Sequence, residues 1–510
     1  SDTYGSCRCD RHVQELATFG EMSVGLGCPG LPLETSSARA CTWVTDAAHY
    51  RQLQEIAYMN PGGTSEWSVI ALVCTYPLIV AWHQVVALAV SKRLTSQTLR
   101  TTTEFAAAVL PLTCVFSAPQ LVWKSVATLV AIGSALTASI VPTLLWPRAL
   151  SIFLASRAAR RAEATSECFT HIDGAGRHFR FVAEYRAMMM ITTCVAILAV
   201  DFPSIFSRAH TKTDEYGYSL MDLGTGCTIC ASAVCSRAAR GLHGGRRLAA
   251  MVARVVSLWP IVVLGLVRFV VLWAIDYHVP VSEYGVHWNF FCTIASVALV
   301  ATLADLGPRA SALAAVALLV AYQLFLSCFG GAHYILHAPR AGFFSQNREG
   351  FLSAVGFLGL HWLAVSLGAC LQSRLQPSSV ACALLATSVG SFTATEMLAA
   401  AGVLVSRRMC NLPYALFVIG INALVLGLLA LLDLRWPVPR VPMPSAYAGV
   451  QASMFATFLV ANLCTGVINL AMQPLLVPAW AALAIMVLYS ASWTLLFAVL
   501  HSKGLAFKFY

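Results

Sequence analysis

A run of about twenty apolar residues must satisfy its own backbone hydrogen bonds if it enters a bilayer, and only a helix or a closed barrel does so. This chain has thirteen such runs. They are read as spanning helices at 67–90, 105–122, 125–146, 186–203, 219–236, 250–273, 288–304, 309–329, 350–372, 378–403, 412–433, 447–470 and 476–500. The fifth is the least apolar. Of the 510 residues only 11% are charged and 58% are hydrophobic. A soluble domain carries about 25% charged residues, so there is too little charge here to cover a water-soluble surface of this size. The expected fold class is all-α: a polytopic integral membrane protein of about thirteen transmembrane helices.

Two units are expected. Residues 1–66 mix Cys, Gly, Thr and charge without a spanning run or a secretory signal pattern, and read as a weakly structured, lumenal N-terminal segment. Residues 67–510 form the multi-helix membrane domain. Disulfides among Cys7, Cys9, Cys28 and Cys41 fit an oxidising lumen. The remaining cysteines lack paired zinc spacing, and no metal is expected.

Basic residues orient the helices. Twenty lysines and arginines fall on the odd-numbered connections and the C-terminal tail, against seven on the even-numbered connections. The odd connections are therefore expected in the cytosol, and the even ones with the N-terminus in the lumen. This asymmetry also accounts for the net charge of +10, so nucleic acid is not expected as a partner.

The unusual polar residues gather at one end of this arrangement. Asp201 closes the fourth run and Lys212 follows in the loop after it. Asp222 lies just inside the fifth run. His287 and Asn289 open the seventh, Asn347 and Glu349 precede the ninth, Asn411 opens the eleventh, and Asn469 closes the twelfth. Residues scattered at random would use both ends. One-sided polar helix ends are the trace of a lumen-facing cavity, and a carboxylate at the end of a long apolar run is costly enough to suggest function. Asp201 could take a proton from an attacking hydroxyl, with His287 as an alternative. Lys212 could stabilise an oxyanion or hold a phosphate. Asp222, His287, Asn289, Asn347, Glu349 and Asn411 are candidates for binding substrate, the asparagines through hydroxyl groups. A structural ion pair for Asp201 and Lys212, and interhelical packing for each asparagine, are the competing readings. No P-loop, GxSxG or HExxH motif occurs.

These residues lie in stretches that resemble a known family. EYRAMMMITTCVAILAVDFPSIF, KTDEYGYSLMDLGTG, EYGVHWNFF, SQNREGFLSAVGFLGL and CNLPYALFVIGINALVLGLL occur in order, with a weaker match at ANLCTGVINLAMQ. Together they are similar to the GPI-anchor inositol acyltransferases, the PIG-W family, over roughly residue 60 to the C-terminus. The resemblance implies a multi-pass protein of the endoplasmic reticulum membrane with thirteen spans and a lumenal N-terminus. It implies transfer of a fatty acyl group, usually palmitoyl, from acyl-CoA to the inositol 2-hydroxyl of glucosaminyl-phosphatidylinositol. Asp201 then corresponds to the family's general base and Lys212 to its electrostatic partner. Acyl-CoA, glucosaminyl-phosphatidylinositol and membrane lipids are the implied partners, with no permanently bound cofactor.

The alternatives are a transporter of a lipid or small molecule and a non-catalytic membrane scaffold. Alternating access calls for internal repeats and polar groups near mid-bilayer on several helices, and the polar residues here cluster at helix ends. Acyl-CoA is made on the cytosolic side, so a cavity spanning much of the bilayer near the fourth, fifth, seventh and ninth helices is expected.

Overall fold

The computed structural model describes residues 50, 62–90, 97–120, 169–173, 176–242, 248–274, 281–373, 376–435 and 441–507. The expected weak structure of residues 1–66, apart from residue 50 and its last five, lies outside the described residues, as do Cys7, Cys9, Cys28, Cys41 and the run 125–146.

Helices α1 (Glu66–Val73) and α2 (Thr75–Val90) turn at Cys74 within the first run. Next come α3 (Gln97–Glu104), one π-helical turn (Phe105–Val109) and α4 (Leu110–Ser117). An antiparallel hairpin, β1 (Phe169–Asp173) with β2 (Gly176–Phe179), is the single departure from helix among the described elements. It leads into α5 (Arg180–Ala199). Then follow a 3-10 turn (Arg208–His210), α6 (Leu223–Val234), α7 (Leu248–Val256), α8 (Trp259–Ala274), the short α9 (Val281–Tyr284), and α10 (Phe290–Ala304). The second half holds α11 (Pro308–Cys328), short α12 (Gly331–His337) and α13 (Phe343–Gln346), α14 (Arg348–Gln372), α15 (Pro377–Ala400), α16 (Leu412–Arg435), α17 (Ser445–Ala452), α18 (Met454–Ala471) and α19 (Ala479–Ser502).

Eight helices among the described residues are long and apolar enough to cross a membrane, the first joining α1 to α2. The other seven are α5, α11, α14, α15, α16, α18 and α19. Because lipid is as apolar as a protein core, depth in the bundle shows in burial rather than in hydropathy. Of the apolar stretch of α5, 78% is buried against protein, and 72% of that of α16, whereas α18 has only 17%. Leu313 on α11, Leu463 and Leu470 on α18, and Leu488 on α19 are large and exposed. They read as lipid-facing. The core surrounds α5, with Met188, Ile191, Cys194 and Leu198 fully enclosed.

Several runs are not single full-length helices: 105–122 opens with the π-helical turn before α4, and 250–273 is divided between α7 and α8. The run 219–236 contains α6, twelve residues long, which reaches about 18 Å at 1.5 Å per residue. That is short of a bilayer core of roughly 30 Å, and Ser219, Leu220 and Asp222 of the irregular backbone before it are buried in protein. The run 447–470 breaks at Ser453, whose Oγ accepts from the amide of Phe507 at 3.0 Å. Close backbone approach elsewhere depends on glycine. A Cβ on Gly356 of α14 would fall 1.9 Å from the carbonyl oxygen of Cys410, which presses the loop before α16 onto α14. Cys410 itself takes a left-handed φ of 49°.

These contacts fix one end of the bundle. The segment 201–222, the start of α10, the segment before α14 and the loop 403–411 meet there. Gly217 donates to the Val405 carbonyl at 2.9 Å, Ser406 Oγ to the Glu215 carbonyl at 2.5 Å, and Val286 to the Gln346 carbonyl at 3.0 Å. Thr64, just before α1, pairs with Tyr218.

Candidate functional site

The loop between α5 and α6 is closed by its own chemistry. Phe202, Ile205 and Phe206 are buried and anchor its first half. Asp222 stands at the N-cap of α6, yet its carboxylate caps nothing there. It reaches back nine residues, accepting from the Thr213 amide at 3.3 Å and from Thr213 Oγ1 at 2.7 Å. Ser219 Oγ receives the Asp222 amide at 3.1 Å. Lys212, adjacent to the pinned Thr213, is thereby held at the mouth of the loop.

Its ammonium meets a carboxylate supplied by another element. Lys212 Nζ donates to Glu283 Oε1 of α9, and Arg407 Nη1 lies 3.7 Å from the same oxygen. Arg407 Nε is 3.5 Å from Asp222 Oδ1 and Nη2 donates to the Glu283 carbonyl at 3.3 Å. The guanidinium also lies 5.4 Å from the Tyr284 ring centre. Burial alone would lower the pKa of Arg407. Tyr284, Glu283 and Asp222 outweigh it, so the group stays above its ordinary value and charged. Lys212 and Arg407 are thus balanced by Asp222 and Glu283.

A second group lies next to it. Glu349 is wholly buried and receives Arg340 in a two-pronged contact, Nη1 to Oε2 at 3.0 Å and Nη2 to Oε1. Arg408 Nη2 donates to Oε1 at 2.9 Å, and Arg348 Nε is 3.9 Å from that oxygen. Asn347, also fully buried, accepts the amides of His287 at 2.7 Å and Trp288 at 3.0 Å, and donates to the Phe343 carbonyl. The His287 ring stacks on Phe343 with centres 6.0 Å apart.

The remaining candidates occupy separate posts at the same end. Asp201 is half-buried after α5 and accepts from Asn469 Nδ2, at the end of α18, at 2.8 Å. Asn289 caps α10 through the amides of Phe291 and Cys292 and donates to the Gly265 carbonyl at 2.9 Å. Asn411 accepts the amides of Ser406 and Tyr414 and donates to the Leu404 carbonyl. So the structure joins Lys212 to Asp222 through Glu283 and Arg407, and His287 to Asn347. It gives Asn289 backbone partners on α10 and α8, and Asn411 backbone partners within its own loop and the start of α16. Among the described residues no group of three or more His, Cys, Asp and Glu side chains is placed to hold a metal ion.

Sequence reasoning passed over Glu283, Arg340, Arg407, Arg408 and His210 as site residues. Arg340, Arg348, Arg407 and Arg408, four of the five arginines on the even connections, entered only as topology signals. The sign that they mattered was available: each sits within a few residues of a helix end on the polar side. His210 is 4% exposed, with Nε2 3.3 Å from Ser68 Oγ and Nδ1 without a hydrogen-bond partner. Burial pushes its pKa down to about 4 from the ordinary 6.5. Between these values the unfolded chain binds more protons than the folded one, so stability rises with pH. The contribution of His210 is fully present above pH 6.5 and is lost as pH falls toward 4. The thermal midpoint of His210→Phe is therefore expected to fall less than that of the unmodified protein over this window. Parallel curves would show that the imidazole is not held neutral by burial.

The GWT1 family model matches residues 50–500. GPI-anchored wall transfer protein 1 of Emericella nidulans is 36% identical over 341 residues, covering 61% of this chain and 70% of that protein. Glucosaminyl-phosphatidylinositol-acyltransferase PIGW of Bos taurus is 29% identical over 391 residues, covering 68% and 78%. The phosphatidylinositol-glycan biosynthesis class W protein of Dictyostelium discoideum is 29% identical over 373 residues, covering 65% and 75%.

Proposed function

Since this chain belongs to the GWT1 family, we propose that it is a membrane O-acyltransferase of GPI-anchor biosynthesis. The reaction moves a fatty acyl group, palmitoyl in the leading case, from acyl-CoA to the inositol 2-hydroxyl of glucosaminyl-phosphatidylinositol. The observation that carries this reading is the match along nearly the whole membrane domain to a family whose bovine relative is named for that acyltransferase. The gathering of carboxylates and cations at one end of the bundle supports it.

In the proposed step Asp201 removes the proton from the inositol hydroxyl as its oxygen attacks the thioester carbonyl carbon. The oxyanion that forms is stabilised by the Lys212 ammonium. Collapse re-forms the carbonyl and breaks the C–S bond. The thiolate of CoA leaves and takes up the proton that Asp201 had removed, which restores the carboxylate, so one ester and one thiol appear for each thioester consumed. Glu283 holds the Lys212 ammonium in place, and Arg407 braces Glu283 from the other side. The proposed setting is the endoplasmic reticulum membrane, with this end of the bundle facing the lumen.

Release of free CoA thiol tests the reaction class. Purified protein supplied with palmitoyl-CoA is expected to release thiol only when glucosaminyl-phosphatidylinositol is present. Equal release without the acceptor would indicate a thioesterase, and no release from folded protein would remove the acyltransferase reading.

A further inference from the structure

The charges at the polar end of the bundle do not cancel uniformly. Around Lys212 two cations face two carboxylates. Around Glu349 three guanidiniums, those of Arg340, Arg348 and Arg408, face a single carboxylate, leaving two positive charges in excess among the described groups. Glu349 is 0% exposed, Arg348 2% and Arg408 8%, so water does little to offset the surplus. Arg348 turns its donors to the carbonyls of Ile335 and Ala338 at the end of α12. A helix C-terminus supplies at most roughly half a negative charge, which leaves more than one charge uncompensated. A second sign is independent of this count. Arg408 Nε, on a side chain more than nine-tenths buried, has no hydrogen-bond partner. Buried charged donors left unpaired are costly, and a bound anion would remove that cost.

The way in is also visible. The side chain of Arg340 is 26% exposed. Phe343 and Phe344, three and four residues on, are 65% and 51% exposed. A cation beside exposed aromatic rings at the end of a membrane bundle suits a ligand with a negative head and apolar tails.

We propose that Arg340, Arg348 and Arg408 around Glu349 bind the phosphodiester of an anionic phospholipid. That the occupant is the phosphodiester of the glycolipid acceptor rests on the acyltransferase reading. The site itself does not, because binding is read without any acyl donor.

Native mass spectrometry of the full chain in detergent, titrated with phosphatidylinositol, phosphatidylcholine or inorganic phosphate, tests this. Phosphatidylinositol is expected to stay bound to the unmodified protein and phosphatidylcholine to be retained less. Arg340→Gln should retain phosphatidylinositol about ten- to a hundred-fold less, the worth of a hydrogen bond to a charged group. Arg340→Lys, which keeps the charge, should recover part of the loss. Equal retention by the unmodified protein and Arg340→Gln would overturn the proposal. Protection against heat by millimolar inorganic phosphate equal to that by phosphatidylinositol, and lost in Arg340→Gln, would assign the site to free phosphate and overturn its lipid part.

Discussion

Asp201→Asn is expected to lower acyl transfer by roughly two to four orders of magnitude, the usual contribution of a positioned general base, while leaving the fold in place. The substitution keeps the shape and an acceptor oxygen. Asn469 Nδ2, 2.8 Å from Asp201 Oδ2, can still donate to it, so the tie between the end of α5 and the end of α18 survives. What is lost is the ability to accept a proton. Matched elution on size exclusion with activity near background is the predicted pair of results. Full activity would make Asp201 a structural cap and turn attention to His287.

Glu349→Ala is expected to act in the opposite way, through stability. Removing the one carboxylate among Arg340, Arg348 and Arg408 leaves three buried or half-buried guanidiniums without their counter-charge. Breaking a buried pair by deleting one partner costs about 3–5 kcal/mol, and here more than one cation loses its partner. The contact also ties separate elements: Arg408 lies in the loop before α16, Arg340 between α12 and α13, and Glu349 in the first turn of α14. A heating series followed by fluorescence-detected size exclusion should show the variant lost at far lower temperature than the unmodified protein. Unchanged melting would mean that the arginines find another anion, which a bound phospholipid would supply. Stripping lipid would then expose the defect.

Much of this architecture is legible in the amino-acid sequence because spanning helices are long and apolar. The runs at 309–329, 350–372, 378–403, 412–433 and 476–500 match α11, α14, α15, α16 and α19 to within a few residues. The grouping of polar residues at one end was legible too, since alternation along a multi-pass chain places every second helix end on the same side. The partners were not. Lys212 meets Glu283 across 71 residues, Arg408 meets Glu349 across 59, and Asp201 meets Asn469 across 268. Pairings at such distances are set by how helices pack, and no local pattern encodes them. Hydropathy also cannot see a break in an apolar run. The stop at Ser453 and the π-helical turn at Phe105–Val109 coincide with contacts from other segments, Phe507 to Ser453 and Tyr447 Oη to the Ala108 carbonyl.

Acyl transfer by this chain is proposed to esterify the inositol ring of glucosaminyl-phosphatidylinositol. The most direct test reconstitutes the purified protein in lipid nanodiscs with palmitoyl-CoA and glucosaminyl-phosphatidylinositol, and identifies the product by tandem mass spectrometry. The expected product is an acceptor heavier by one acyl group, with fragments that place the new ester on the inositol 2-oxygen. Folded protein that leaves the acceptor unchanged, or acylates it on the glucosamine instead, would contradict it.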